Sequence, residues 1–314
     1  MPARDTTPIL IAGPTASGKS ALAMRLAKHV DGCIINADSM QVYGVLRALT
    51  ARPDAEEEAQ APHRLYGHID PSADYSVGQW QSEALQAMET AQQAGQRPIV
   101  VGGTGLYFKS LTEGLTDIPD IDPQLRSFWR ARLAAEGAAA LHAELATVDE
   151  DLAARLEKND GQRISRGLEV FHATGTPLSH WQAVKPVPPV SAAHKILLMP
   201  ARDWLYARCD ARFEQMMTQS ALDEVRALRE MQLAADRPVM KALGVAEIMA
   251  FLDEAHDRDT AIAMAQQATR RYAKRQMTWF RNQMTQWQSF SEQEYNQEYD
   301  KIFSFISKNS LTAT

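Results

Sequence analysis

Residues 8–30 read PILIAGPTASGKSALAMRLAKHV, and the predicted fold follows mainly from this segment. Its apolar start predicts a strand and its end predicts a helix. Between them, eight residues match the phosphate-binding pattern G-x-x-x-x-G-K-[ST] of nucleotide- and ATP-binding proteins: Gly13, Pro14, Thr15, Ala16, Ser17, Gly18, Lys19 and Ser20. The glycines let backbone N–H groups surround a phosphate, Lys19 reaches the outer phosphate, and the Ser20 hydroxyl can bind Mg²⁺. The motif predicts a bound diphosphate or triphosphate without deciding between them.

The rest of the chain predicts how this loop is embedded. Strand-like CIIN and IVV alternate with helix-like QWQSEALQAMETAQQAG, which is typical of a parallel α/β sheet with flanking helices. Strand signals then disappear between proline-rich TDIPDIDP and KPVPPV, and HKILLMPA predicts a strand returning to the sheet. We therefore expect a P-loop NTPase-like core at residues 1–114 and 190–289, an inserted helical subdomain at 115–189 and a flexible C-terminal tail at 290–314.

Composition limits the class of protein. The 314 residues carry a net charge of -6, which argues weakly against a general nucleic-acid binder, so local basic clusters must make any RNA contact. No apolar run is long enough to span a membrane, and the two cysteines cannot form a structural zinc site alone. We expect a cytoplasmic protein.

Asp38 is the chemical candidate beside the phosphate loop. It ends the apolar run CIINAD, so it is expected to face the same crevice as the loop. It could lie beside Mg²⁺, act as a general base, or merely cap a helix. The run IVV ends instead in Gly102, Gly103, Thr104 and Gly105, where glycines permit close approach of the backbone to a ligand. The lack of a second carboxylate weakens an ATPase interpretation.

Four motifs in this order make the chain resemble the tRNA dimethylallyltransferase family: GPTASGKS, DSMQVY, VGGTGLYFKSL and NDGQRISRGLEV. TARP, APHRL and the late TRRYAKRQMTWFR extend the resemblance. It implies transfer of a dimethylallyl group from dimethylallyl diphosphate to N6 of adenosine 37, in tRNAs that read codons beginning with U. The products would be N6-isopentenyladenosine and diphosphate. The family also suggests a monomer, and nothing implies an obligate protein partner.

The resemblance also implies roles for individual residues. Asp38 is similar to the family's general base, and Thr104 to the threonine where adenine and prenyl donor meet. The P-loop would hold the diphosphate, with Mg²⁺ at Ser20 as cofactor. Arg202, just beyond the strand predicted from HKILLMPA, is a further candidate for a diphosphate contact because of its position. Expected contacts with the tRNA anticodon stem-loop, which the helical insert would grip, are Asp38, Ser39, Met40, Gln41, Thr104, Arg126, Gln162, Arg163, Ile164, Ser165, Arg166, Lys241, Arg270, Arg271, Lys274 and Arg275.

Some of these contacts have ordinary alternatives. The basic face of residues 270–281 could be a solvated helix surface, and residues 162–166 could belong to an ordinary helix. The chain also departs from the family at Val245, where relatives usually carry tyrosine, and within RALTARP at residues 47–53. Two other functions are left open: a P-loop kinase or isopentenyltransferase acting on a free adenine nucleotide, and a non-catalytic P-loop RNA-binding protein. The last would not need Asp38.

Overall fold

The computed structural model describes residues 5–291 and 299–310. These residues form two compact units. One contains the chain up to Thr112 and again from Pro189, and the other contains Glu113–Pro188. The described helices are α1 (Lys19–Val30), α2 (Ala55–Gln60), α3 (Val77–Gln93), α4 (Gly105–Glu113), α5 (Pro123–Glu136), α6 (Ala138–Val148), α7 (Glu150–Arg155), α8 (Gly161–Thr174), α9 (Leu178–Ala183), α10 (Arg202–Thr218), α11 (Ala221–Glu230), α12 (Val245–Leu252), α13 (Arg258–Gln283) and α14 (Tyr299–Ser310), with a 3-10 helix at Pro238–Lys241.

The larger unit is built on a sheet of parallel strands. The described strands are β1 (Ile9–Ala12), β2 (Gly32–Asn36), β3 (His63–Arg64), β4 (Arg97–Gly102), β5 (His194–Leu198) and β6 (Gln288–Phe290). They lie in the order β3-β2-β4-β1-β5-β6 and every pairing is parallel. The predicted α/β, P-loop NTPase-like fold is confirmed. Because β2, β4 and β1 are neighbours, the segments that leave their carboxyl ends meet at one edge of the sheet.

Each face of the sheet is covered by its own apolar layer. Side chains alternate along a strand, so Ile9 and Ile11 face one layer with α1, while Leu10 and Ala12 face the other with α3 and α13. The strand residues of β1, β2 and β4 are buried throughout, which explains their continuous apolar sequences. The core therefore fixes the strand ends from which the site is built.

The expected flexible tail is corrected for part of its length. Residues 292–298 and 311–314 lie outside the described residues, but α14 is a helix. Its Ile302 and Ile306 are buried against the α1 side of the sheet, and the Phe303 ring lies 4.0 Å from the ring of His29. The apolar residues at i and i+4 pack the helix against the sheet, and this burial stabilises it although the sequence before it is polar.

The smaller unit is helical, and its core contains Trp129, Leu141, Leu145, Ile164 and Leu168. It spans α5 to α9 and contains no strand among its residues, all of which the structure describes. In the described part of the whole chain, no helix is long and apolar enough to cross a membrane.

Candidate active site

The phosphate-binding loop turns tightly between β1 and α1. Ala16 and Gly18 adopt positive φ angles of 61° and 91°, and the Ser17 N–H donates to the Pro14 carbonyl at 3.2 Å. Gly18 is the N-cap of α1 and supplies no side-chain hydrogen bond to the helix. The first N–H groups of α1 are therefore left for a ligand, at the end of the helix that favours negative charge.

The Lys19 side chain lies over this loop. Its Nζ donates to the Pro14 carbonyl at 3.2 Å, which folds the side chain back over the loop. Burial lowers the pKa of Lys19 to about 8, although the negative charge of Asp38 opposes the shift. Arg212 adds to the lowering because it is a like charge. The positive charge of the Lys19 ammonium is therefore not fully balanced by nearby carboxylates, as expected for a side chain that binds phosphate.

Asp38 is held by the last residue of β2. The buried Asn36 accepts from the Asp38 N–H at 2.8 Å and donates to the carbonyls of Asp38 and Leu65, both at 3.0 Å. One carboxylate oxygen, Oδ1, accepts from the Met40 N–H at 3.0 Å. No α-helix begins between Asp38 and Ala55, so the helix-cap alternative for Asp38 is wrong. Within the described chain Oδ2 accepts no hydrogen bond, which leaves it able to take a proton.

Thr104 ties the end of β4 to the segment after β2. Its Oγ1 accepts from the Ser39 N–H at 2.9 Å and lies 3.3 Å from the Ser39 hydroxyl, to which it donates. Its N–H donates to the Ala37 carbonyl at 3.1 Å. The structure therefore brings Thr104 beside Ser39 and Asp38, as the sequence predicts for residues that act on one acceptor.

A cavity of about 440 Å³ joins the phosphate loop to Asp38. Sequence reasoning missed four of its lining side chains: Arg52, Tyr66, Arg208 and Arg212. Arg208 and Arg212 lie one turn apart on α10, and Arg208 Nε donates to the Ala16 carbonyl at 3.0 Å. Their i,i+4 spacing was the available signal, because it places both guanidinium groups on one helix face. Together with Lys19, the three arginines give the cavity four cations that could bind a diphosphate.

Arg202 lies apart from this cavity. It starts α10, its side chain is 64% exposed, and its nearest carboxylate is that of Asp203 at 3.9 Å. The cavity lining on this helix begins at Arg208 instead. The expected diphosphate contact therefore moves from the first residue of α10 to positions farther along the helix.

The donor atoms fit a magnesium ion that is held mainly by phosphate. Ser20 lines the cavity and is exposed, and Asp38 is the nearby carboxylate. The described residues contain no group of three or more His, Cys, Asp or Glu that could hold a metal by themselves. Mg²⁺ commonly binds through one or two protein oxygens together with phosphate oxygens and water. The predicted Ser20 ligand fits this pattern.

The sequence matches the IPP transferase family over residues 41–283. The chain belongs to this family. It is 54% identical over 281 residues to the tRNA dimethylallyltransferase of Azorhizobium caulinodans, covering 89% of this chain and 90% of the relative. The corresponding protein of Rhodopseudomonas palustris is 53% identical, with 88% and 85% covered. This chain is therefore a prenyltransferase enzyme, and the kinase alternative is not favoured.

Solved structures agree with the sequence comparison. The full-length tRNA isopentenylpyrophosphate transferase of Bacillus halodurans is 32% identical with a TM-score of 0.69, and 98% of each chain is covered. A eukaryotic dimethylallyltransferase acting on tRNA is 27% identical with a TM-score of 0.83, covering 96% of this chain and 79% of the other. The family assignment thus extends to the three-dimensional structure.

The basic face of α13 in this transferase is real but smaller than expected. Arg271, Lys274 and Arg275 are exposed, and they line an open cavity of about 550 Å³ together with Trp279. Arg270 is instead partly buried and pairs with Asp210 at 2.5 Å. Of these four basic residues, Arg270 lies nearest the buried side of the helix. Its ion pair with Asp210 links α13 to α10, so its side chain is less available to a ligand.

The other expected tRNA contacts in the larger unit differ in exposure and in their hydrogen bonds. Lys241 is exposed at the end of the 3-10 helix, whereas Val245 is fully buried at the start of α12. Gln41 donates to the carbonyls of Thr50 and Ala51 at 2.8 and 2.9 Å, so it holds that loop in place. Met40 is partly buried against the apolar cluster around Val42.

Within the insert, α8 presents only part of the expected contact segment. Gln162 and Arg163 are exposed, and Arg166 and Arg126 are partly exposed. Ile164 is fully buried and Ser165 is 6% exposed, so their side chains belong to the core of the insert. Helical periodicity explains this correction, because five consecutive residues cannot all lie on one helix face.

Proposed function

We propose that this transferase moves a dimethylallyl group from dimethylallyl diphosphate to N6 of adenosine 37 in tRNAs that read codons beginning with U. The observation that carries the proposal is the single cavity in which the phosphate loop, Lys19 and Asp38 meet. The names of the relatives, tRNA dimethylallyltransferases, supply the acceptor and the prenyl group. We also propose that the enzyme works as a monomer in the cytoplasm.

The donor half of the reaction uses the loop and its cations. As the bond between the prenyl carbon and oxygen breaks, negative charge accumulates on the departing diphosphate. The amides at the start of α1, Lys19, Arg208 and Arg212 are placed to stabilise that charge. Ser20 would hold Mg²⁺, which neutralises part of the diphosphate charge when bound.

The acceptor half uses the ends of β2 and β4. The N6 nitrogen forms the new bond to the prenyl carbon and must lose a proton. Asp38 Oδ2 accepts that proton, while the Met40 N–H holds Oδ1 and fixes the carboxylate. Thr104 contacts the adenine beside it. A base inside an anticodon loop has to leave its stack to enter such a cavity.

Basic groups on each of the two units would then hold the RNA. Arg126, Gln162, Arg163 and Arg166 in the insert would contact the anticodon stem-loop through its backbone. Arg271, Lys274 and Arg275 offer a second exposed basic face on α13. Neither set needs a net positive protein, because the contacts are local.

One assay tests this proposal against both alternatives. The protein is mixed with Mg²⁺, dimethylallyl diphosphate and unmodified tRNA, and the tRNA is digested to nucleosides for mass spectrometry. We expect N6-isopentenyladenosine from the wild type and none from a tRNA carrying guanosine at position 37. Parallel reactions with AMP as acceptor test the free-nucleotide alternative. If the reaction with AMP gives product and the reaction with tRNA gives none, the tRNA proposal is refuted. Full activity of Asp38→Ala would refute the role of Asp38.

A further inference from the structure

Gln276 connects the two halves of the site although it lies far from both in sequence. It is on α13 and its side chain is 6% exposed. Its Oε1 accepts from the Thr15 N–H in the phosphate loop at 2.9 Å. Its Nε2 donates to the Gly103 carbonyl, also at 2.9 Å, just before Thr104. One side chain therefore bridges the loop after β1 and the loop after β4.

Only a primary amide of this length satisfies both partners. The Thr15 N–H can only donate and the Gly103 carbonyl can only accept, which fixes the orientation of the amide. Ionised glutamate would accept from Thr15 but could not donate to Gly103, and methionine would do neither. The bridge is also buried, so a lost partner is not replaced freely by bulk water.

The packing around Gly103 shows how closely the bridge approaches the acceptor side. A Cβ at Gly103 would lie 2.5 Å from Gln276 Nε2 and 3.4 Å from Asp38 Oδ2. The space next to the Gly103 Cα is thus close to both the glutamine amide and the carboxylate. A shift of Gly103 would move the Thr104 side chain relative to Asp38, since Thr104 is the next residue.

We propose that Gln276 is a positioning residue that sets the distance between the donor diphosphate and the acceptor adenine. It holds the phosphate loop through Thr15 and the acceptor loop through Gly103, and it touches neither substrate. The inference rests on the proposed prenyl transfer, because only a reaction between two bound groups depends on that distance. Misplacement of reacting groups by about 1 Å can cost about 100-fold in rate.

Two substitutions separate the two halves of the bridge. In its ionised form, Gln276→Glu keeps the acceptor for Thr15 and removes the donor to Gly103, so the variant is compared with wild type at rising pH. We expect its KM for dimethylallyl diphosphate to stay within about twofold of wild type while kcat falls about 10- to 100-fold. Gln276→Met removes both bonds, so its KM for the donor should rise as well. Thermal unfolding of each variant shows whether it is folded under the assay conditions.

Gln266→Met is the matched control. Gln266 lies on the same helix and donates to the Asp210 carbonyl and to Glu214, so this change also removes an amide that links α13 to α10. Its kcat and both KM values should match wild type. The inference is overturned if folded Gln276→Glu keeps kcat within about twofold of wild type. It is also overturned if kcat falls as much in Gln266→Met as in Gln276→Glu. If Gln276→Met does not fold, Gln276→Glu decides alone. Absence of product from the wild type would refute the proposed function instead.

Discussion

Raising the pH through 8 should weaken donor binding, because burial lowers the pKa of Lys19 from 10.5 to about 8. Below that value the ammonium is charged and can bind diphosphate, and above it the amine is neutral. At pH 9 only about one lysine in ten keeps its proton. If the charged form alone binds the donor, kcat/KM for dimethylallyl diphosphate falls about tenfold between pH 7 and pH 9. An unburied lysine would give an almost level profile over the same range.

The assay measures initial rates of N6-isopentenyladenosine formation from pH 6.5 to 9.5 with saturating tRNA. A bound diphosphate holds the proton on Lys19, so kcat at saturating donor should vary less than kcat/KM. Burial raises the pKa of Cys209 to about 11 and also raises those of Tyr66 and Tyr272, so these neighbours stay protonated over this range. Lys19→Arg is the control, since its guanidinium remains charged.

The contribution of Lys19 to protein stability changes in the opposite direction, so deprotonation of Lys19 does not itself promote unfolding. Between about pH 8 and 10.5 the unfolded chain binds a proton at Lys19 that the folded chain does not, so this residue makes folding more favourable as pH rises. A level kcat/KM up to pH 9.5 would refute the reasoning. So would an equal fall in Lys19→Arg, because the titrating group would then be another residue.

Three further predictions test the donor side, the acceptor side and the fold. Asp38→Asn should lower kcat by about 10²- to 10⁴-fold while tRNA affinity in a filter-binding assay changes little, and a loss below tenfold would contradict a general base. Arg212→Met should raise the KM for dimethylallyl diphosphate at least about tenfold, whereas Arg202→Met should not; the reverse result would favour the sequence prediction. Ile302→Ala should lower the free energy of unfolding in urea by about 2–5 kcal/mol, with exposed Ser304→Ala as control, and a loss below about 1 kcal/mol would contradict docking of α14.

Local sequence was enough to predict the phosphate loop. The motif, the preceding strand and the following helix are contiguous, so their arrangement does not depend on distant contacts. Asp38 and Thr104 were also predictable, because each follows an apolar run that becomes a buried parallel strand. The sequence alone could not show that these two strands are neighbours in the sheet.

The residues that sequence reasoning missed reach the site from distant parts of the chain. Gln276 is 261 positions from its partner Thr15, and Arg208 is 192 positions from Ala16. Arg202 was a reasonable candidate because it follows β5 closely, but the first residue of a helix can point into solvent. The packing of α14 did leave a signal, since Ile302 and Ile306 are one helical turn apart.

The glycines at the end of β4 have a structural role that the sequence does not predict. The sequence predicts that they let the backbone approach a ligand, and in the structure they make room for protein atoms. A side chain at Gly102 would overlap the Ala37 backbone, one at Gly103 would meet Gln276, and one at Gly105 would overlap the Trp279 ring. Glycine therefore allows the ends of β2 and β4 to lie close enough for Thr104 to bond to Ser39 beside Asp38. The position of Asp38, the proposed base, depends on this contact between strand ends as much as on its own strand.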